Sequence, residues 1–189
     1  MKARDIPNLI SAFRIVLVIP VIYMLLQQQF LYALILFAIA GISDAVDGYI
    51  ARRFNWMTRL GGILDPLADK LLQVCCYITL AFIALIPVWL VIVVVLRDVI
   101  IVAGGMLYHY RFERFHAEPM LISKINTFMQ IMLVILVVFN AAFNALPEAV
   151  LDILILSVLM TTVISGVSYI VIWGRRAWAI HQQRKGQSL

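Results

Sequence analysis

Residues 44–70 read DAVDGYIARRFNWMTRLGGILDPLADK. The stretch holds four aspartates, four arginines or lysines and three glycines. Apolar sequence borders it on both sides, LYALILFAIAGIS before it and LLQVCCYITLAFIALI after it. Four carboxylates there need a physical reason, because one charged side chain at the middle of a membrane helix costs roughly 2.5–3.5 kcal/mol.

The surroundings set the fold. Of 189 residues, 64% are hydrophobic and 13% charged, with a mean hydropathy of +1.01. Soluble domains are nearer half apolar, so this composition belongs to a membrane protein. The apolar runs are long and continuous, as in VWLVIVVV, and lack the in-out alternation of a barrel strand. The expected fold is all-α and integral to the membrane. At ~20 residues per span, six transmembrane helices fit, near 9–26, 31–43, 64–86, 88–108, 120–143 and 150–173. Pro20 is expected to kink the first, and Pro87 to separate the third from the fourth. The second run is short and is expected to continue as a helix through the aspartate stretch, its far end wet. Residues 1–189 then form a single membrane domain with a short cytosolic tail, 174–189.

Basic residues orient it. Lys2, Arg4, Arg52, Arg53, Arg59, Arg111, Arg114, Arg175, Arg176, Arg184 and Lys185 make 11 of the 15 lysines and arginines, all at one side of the expected spans. The positive-inside rule places both termini and the aspartates in the cytoplasm. The start, MKARDIPNLISAFR, has no cleavable-signal pattern, and the expected location is a bacterial inner membrane. Cys75 and Cys76 are helix neighbours that point apart, unsuited to a disulfide, and are expected to pack. His109, His116 and His181 share no metal-ligand spacing.

Asp44 and Asp47 are three apart and share a helix face. Asp65 and Asp69 are four apart and do the same if Pro66 begins a helix, with Asp65 as its N-cap. Gly61 and Gly62 can turn the chain sharply and let the next helix pack close. The two pairs can then face each other. Four carboxylates at one point repel, and divalent cations reverse the sign of that energy. Mg²⁺ prefers oxygen ligands and associates with substrate phosphates, and two ions can share such a carboxylate set. Gly48 allows close approach, and Arg52 offers a fork for phosphoryl oxygens. The blander reading, helix caps and pairing with Arg52, Arg53, Arg59 and Lys70, suits one Asp–Arg pair better than four acids at this spacing.

The pattern Asp44-x₂-Asp47-Gly48-x₂-Ala51-Arg52-x₈-Gly61-x₃-Asp65-x₃-Asp69 resembles the whole signature of the CDP-alcohol phosphatidyltransferases. The resemblance implies an integral-membrane enzyme that moves a phosphatidyl group from CDP-diacylglycerol to an alcohol and releases CMP, with no role for nucleic acid. It further implies two Mg²⁺ or Mn²⁺ ions held by Asp44, Asp47, Asp65 and Asp69 at the cytosolic ends of helices 2 and 3. Gly48, Ala51 and Arg52 would hold the cytidine diphosphate, Gly61 would let the helices approach, and Asp69 would also be the catalytic base. The family is usually homodimeric.

IPNLISAFR resembles the glycerol-phosphate branch, with Asn8, Ser11 and Arg14 at polar positions. Arg14, inside an apolar run, is expected to meet an anion rather than snorkel. Arg14, Arg97 and Lys124 are candidates for acceptor binding. Phosphatidylglycerophosphate synthases resemble GKxKT where this chain has Ser123-Lys124-Ile125-Asn126-Thr127. Asn126 replaces a lysine. One cation fewer suits phosphatidylglycerol, which carries one phosphodiester charge, over the nearly dianionic glycerol 3-phosphate. The pattern, with IPNLIS and LDPLADK, is closer to the CMP-forming cardiolipin synthases, and glycerol 3-phosphate is the alternative acceptor.

Two other classes fit less well. Intramembrane aromatic prenyltransferases pair Asp-rich motifs with Mg²⁺, but the motifs lie far apart in a longer chain. Transporters gather ionisable groups near the midplane, often between inverted repeats, and no repeat is visible here.

Overall fold

A computed structural model describes residues 6–54, 56, 61–111 and 121–186. Among them are six helices: α1 (Ile6–Leu26), α2 (Phe30–Arg53), α3 (Gly61–Phe82), α4 (Val88–Arg111), α5 (Leu121–Phe143) and α6 (Glu148–Gly186). The all-helical reading holds. Four of the helices, α1, α2, α5 and α6, contain a segment long and apolar enough to cross a membrane. The aspartate-bearing α3 has Asp65, Asp69 and Lys70 in its first half.

The ends of the helices follow local chemistry. α1 closes with Gln28 in the left-handed region at φ 57°, where the Gln28 N–H donates to Leu25 O and the Gln29 N–H to Met24 O. α3 closes the same way at Ala84, φ 60°, with the Ala84 N–H on Ala81 O and the Leu85 N–H on Leu80 O. Both are Schellman ends, which satisfy carbonyls that a helix terminus leaves open. α5 ends at Asn144, φ 49°, whose N–H donates to Asn140 O. Asn140 Oδ1 then accepts the Leu146 N–H at 2.8 Å. Pro20 lies inside α1, which continues past it as a helix.

Two expectations are corrected. The third helix begins at Gly61, five residues before Pro66, so Asp65 is not its N-cap and Pro66 is not its first residue. The N–H that Pro66 lacks would have met the carbonyl of residue 62, close to the helix start, so only one near-terminal bond is forgone. Gly61 is helical and buried rather than the apex of a sharp turn. The second run behaves as expected, since α2 carries on unbroken through Asp44 and Asp47 to Arg53.

The chain packs as two units, Met1–Val88 with Val134–Glu148, and Trp89–Leu133 with Ala149–Leu189. In the first, α1 packs on both α2 and α3. Leu17, Val21, Leu25, Ala33, Ala40, Ala68, Leu72, Tyr77 and Leu80 are buried there. Cys76 is buried among them, and both cysteines are free. The small residues Ala33, Ala40 and Ala68 let backbones approach, the packing mode used when lipid supplies no hydrophobic drive between helices. In the second unit, Leu90, Val94, Leu133 and Val158 are buried beside Asn126, Gln130, Thr162 and Ser165. Large apolar residues face outward throughout, among them Ile19, Phe82, Leu121 and Ile153. A soluble protein does not carry so much exposed apolar surface.

Candidate active site

Ser11 and Arg14 are three apart on α1 and so share a face. That face meets the aspartates. Both residues are buried, Ser11 fully and Arg14 to 1% exposure. One terminal nitrogen of Arg14, Nη1, pairs with Asp44 Oδ1 at 2.7 Å and with Asp69 Oδ1. The other, Nη2, donates to Asp47 Oδ2 at 2.8 Å. The Ser11 hydroxyl contacts Asp47 at 3.4 Å and donates to Asp65. All four aspartates of the signature, two from α2 and two from α3, therefore converge on two residues of α1. Asp47 is buried, while the Asp44 and Asp69 side chains are about half exposed at 46% and 50%. The cluster thus has a closed side, held by Arg14, and an open one.

The remaining signature residues follow from helical spacing. Gly48 is one turn beyond Asp44, and Ala51 one turn beyond Asp47, so both extend the aspartate face of α2. Each is partly exposed. The Arg52 side chain lies outside the described residues, as do those of Asn8, Arg111, Arg175 and Arg176. Lys2, Arg4, Arg59, Arg114 and His116 lie outside them too.

An apolar groove opens between α1 and α2, with a volume of about 710 Å³. Leu9, Phe13 and Val16 of α1 and Ile39, Ile42 and Val46 of α2 line it. Ile39, Ile42 and Val46 form one stripe at helical spacing, and Asp44 and Asp47 lie on a different face of the same helix, about 140° round it at 100° per residue.

The second unit contains another buried arginine. Arg97 is 5% exposed. Its Nη1 donates to Asp98 at 2.8 Å, and its Nη2 to Ser123 and Ser165, each at 2.6 Å. Its Nε reaches Ser165 at 3.2 Å. Lys124 is exposed. Asn126 is fully buried, and its Oδ1 accepts from Thr162 at 2.8 Å and Thr161 at 3.0 Å. Gln130 donates to Thr162 at 3.4 Å. This seam of neutral polar groups ties α5 to α6 within the unit.

Sequence reasoning placed the four aspartates together and expected Arg14 to meet an anion. It did not foresee that the protein's own aspartates would be that anion. It treated Ser11 as a motif position or helix cap, and it missed Ser165, Thr161 and Thr162 entirely. The 11/14 spacing was the available signal for Ser11, since it puts the hydroxyl on Arg14's face. The α6 residues carry no such mark.

Among the described residues, no group of three or more His, Cys, Asp or Glu side chains is arranged to ligate a metal ion as it stands. The donor chemistry nevertheless fits a hard divalent cation. Four carboxylates supply only oxygen ligands, and a positive charge, that of Arg14, already sits among three of them. One guanidinium against four carboxylates leaves negative charge uncompensated.

Signature, fold and converging acids together define a class, the membrane phosphatidyltransferases that act on CDP-linked lipids. A model of the CDP-alcohol phosphatidyltransferase family matches residues 4–173, and the chain belongs to that family. It is 37% identical over 180 residues to the CMP-forming cardiolipin synthase of Rattus norvegicus, a match covering 87% of this chain and 60% of the rat protein. The human cardiolipin synthase is 36% identical over the same shares. The CDP-diacylglycerol–glycerol-3-phosphate 3-phosphatidyltransferase of Bacillus subtilis is 33% identical over 182 residues, 87% of this chain and 93% of that protein. The match thus spans about 60% of the length of the mammalian cardiolipin synthases.

Proposed function

We propose that this chain transfers a phosphatidyl group from CDP-diacylglycerol to a glycerol-type alcohol and releases CMP, and that the alcohol is phosphatidylglycerol, which makes it a CMP-forming cardiolipin synthase. The observation that carries the reading is the convergence of Asp44, Asp47, Asp65 and Asp69 on Ser11 and Arg14, in a chain bearing all eight residues of the family signature. Asp44, Asp47, Asp65 and Asp69 would hold two Mg²⁺ or Mn²⁺ ions. When bound, such ions neutralise a diphosphate and stabilise the leaving nucleotide.

The chain's own residues do the rest. Gly48 and Ala51 present no bulk on the aspartate face, so a cytidine diphosphate can lie against α2, with Arg52 as the fork for its phosphoryl oxygens. The apolar groove between α1 and α2 takes an acyl chain while the headgroup stays at the interface. Asp69, half exposed, is the base that removes the acceptor hydroxyl's proton. Arg97 and Lys124 supply positive charge for the acceptor's phosphate, and Arg14 is a third candidate. The chain acts as a single domain with six spans, as a homodimer in the cytoplasmic membrane of a bacterium. Both termini face the cytoplasm, a reading supported by the one-sided distribution of 11 of 15 lysines and arginines.

Glycerol 3-phosphate is the second reading for the acceptor, favoured by the similarity to the Bacillus protein. Purified protein supplied with CDP-diacylglycerol, Mg²⁺ and one acceptor at a time separates them. Cardiolipin is the expected product. Turnover with glycerol 3-phosphate and none with phosphatidylglycerol would replace the first reading with the second.

A further inference from the structure

Arg97 spends its donors unevenly. A guanidinium carries five N–H groups. Nε and one Nη2 N–H both go to the Ser165 hydroxyl oxygen, at 3.2 and 2.6 Å. The second Nη2 N–H goes to Ser123 at 2.6 Å, and one Nη1 N–H to Asp98 at 2.8 Å. The fifth N–H, also on Nη1, has no acceptor among the described residues.

The two serines add to the surplus. Each accepts from Arg97 and so keeps its own proton. Elsewhere on α6, Ser157, Thr161 and Ser168 can donate theirs to the carbonyl four residues back. Ser165 and Ser123 donate to nothing among the described residues. A buried donor left unspent is costly, and buried polar groups normally find partners. Three unspent donors around one guanidinium therefore suit an oxyanion. Ser165 is fully buried and closes the cluster on one side. Ser123 is partly exposed and Lys124 beside it exposed, so the cluster opens there.

The formal charges narrow the choice of anion. Asp98 pairs with Arg97 and cancels its charge, the two side chains being 12% and 6% exposed. The serines supply donors without charge. Lys124 leaves one net positive charge at the opening, which matches a phosphodiester. A phosphomonoester, close to a dianion, would leave negative charge unpaired beside buried groups, where it is costly.

We infer that Ser123, Ser165 and Asp98 set the acceptor seat for a singly charged phosphodiester: Ser123 and the spare Nη1 N–H bond the phosphoryl oxygens, Ser165 positions Arg97 by holding Nε and Nη2, and Asp98 removes the charge a phosphomonoester would need. The inference rests on Arg97 as an acceptor-binding residue, proposed above, and adds the residues that decide what the seat accepts.

Phosphatidylethanol is a phosphodiester lipid with no hydroxyl to react, and phosphatidic acid is its monoester counterpart. Both are titrated as inhibitors in detergent micelles, against whichever glycerol-type acceptor the unmodified chain turns over. Phosphatidylethanol is expected to compete with the acceptor and to inhibit more strongly than phosphatidic acid. Ser123→Ala is expected to weaken that inhibition about tenfold, the effect of one hydrogen bond to a charged group, with the KM for CDP-diacylglycerol little changed. Ser165→Ala is expected to raise the acceptor KM severalfold with a smaller change in kcat, and Ser165→Thr, which restores the hydroxyl, to recover most of it. Asp98→Asn is expected to reverse the order of the two inhibitors.

Should Asp98→Asn fail to fold, the inhibitor order on the unmodified chain and the Ser123→Ala constant still decide. Equal inhibition by the two lipids, or an unchanged phosphatidylethanol constant in Ser123→Ala, overturns the inference. If cardiolipin still forms in that case, the function proposed above stands without it. Turnover of glycerol 3-phosphate alone, with phosphatidic acid the stronger inhibitor, overturns both.

Discussion

Arg14 and Asp47 are 33 residues apart in sequence and 2.8 Å apart in space, and both are almost wholly buried. The pair joins α1 to α2 inside what the composition marks as a lipid-embedded bundle. Removing one member of a buried ion pair leaves the other uncompensated, at a cost of roughly 3–5 kcal/mol. Asp44 and Asp69 remain to hold Arg14, so Asp47→Asn is expected at or below the lower end of that range. Thermal unfolding in detergent checks it. An unchanged melting temperature in chelator would show that the pair contributes nothing.

Asp69 is assigned two tasks, as cation ligand and as base. Asp69→Asn keeps the shape and removes the basicity. Loss of a general base typically costs about 10²–10⁴ in rate, so CMP formation is expected to fall by that factor. CDP-diacylglycerol binding should survive in part, because Asp44, Asp47 and Asp65 remain. Full activity in Asp69→Asn would remove it as the base.

Arg97 offers donors to Asp98, Ser123 and Ser165 from three nitrogens. A lysine has one nitrogen and cannot reproduce that fork. Arg97→Lys is therefore expected to raise the KM for the acceptor while leaving that for CDP-diacylglycerol nearly unchanged. Steady-state kinetics with each substrate varied in turn make the comparison. Equal changes in both would point to a structural role.

Gly166 gives a contrasting result on the same side chain. A Cβ there would meet Arg97 Cγ at 3.5 Å, an ordinary van der Waals contact. Gly166→Ala is expected to shift stability by no more than about 0.5 kcal/mol and to leave activity near normal. A collapse of either would mean that α6 packs more tightly on Arg97 than this geometry allows.

Asn126 lies fully buried, its Oδ1 accepting from Thr161 and Thr162. A charged side chain at a membrane centre costs roughly 2.5–3.5 kcal/mol. Asn126 is the sixth residue of the 23-residue α5 rather than its midpoint, so Asn126→Lys is expected to destabilise the fold by less than that figure, measured by thermal unfolding, unless the ammonium finds an anion. Stabilisation of that variant by added glycerol 3-phosphate would show that this position reads the acceptor.

Much of this architecture was legible in composition and spacing. Long apolar runs located the helices, and the 44/47 and 65/69 intervals placed two aspartates on each helix face. Continuation of α2 through the aspartates followed from the brevity of its apolar part. The start of α3 was misread because Pro66 marks a helix's first turn by preference only, and an earlier start at Gly61 sacrifices a single near-terminal bond. The grip of Arg14 on three carboxylates was not legible, since pairing across α1, α2 and α3 is a property of their packing. Thr161, Thr162 and Ser165 were invisible for the same reason. A hydroxyl in an apolar run can bond to its own helix, as Ser157 does to Ile153 O at 2.7 Å, or to a neighbour, and sequence does not distinguish the two.

The most direct test follows both products of one reaction. Purified protein is given CDP-diacylglycerol and phosphatidylglycerol with Mg²⁺, and CMP and lipid product are quantified together, before and after chelation. CMP and cardiolipin are expected in equal amounts, both abolished by EDTA and restored by excess Mg²⁺ or Mn²⁺. No CMP from any glycerol-type acceptor, or undiminished release in EDTA, would contradict a divalent-dependent phosphatidyl transfer at the four aspartates.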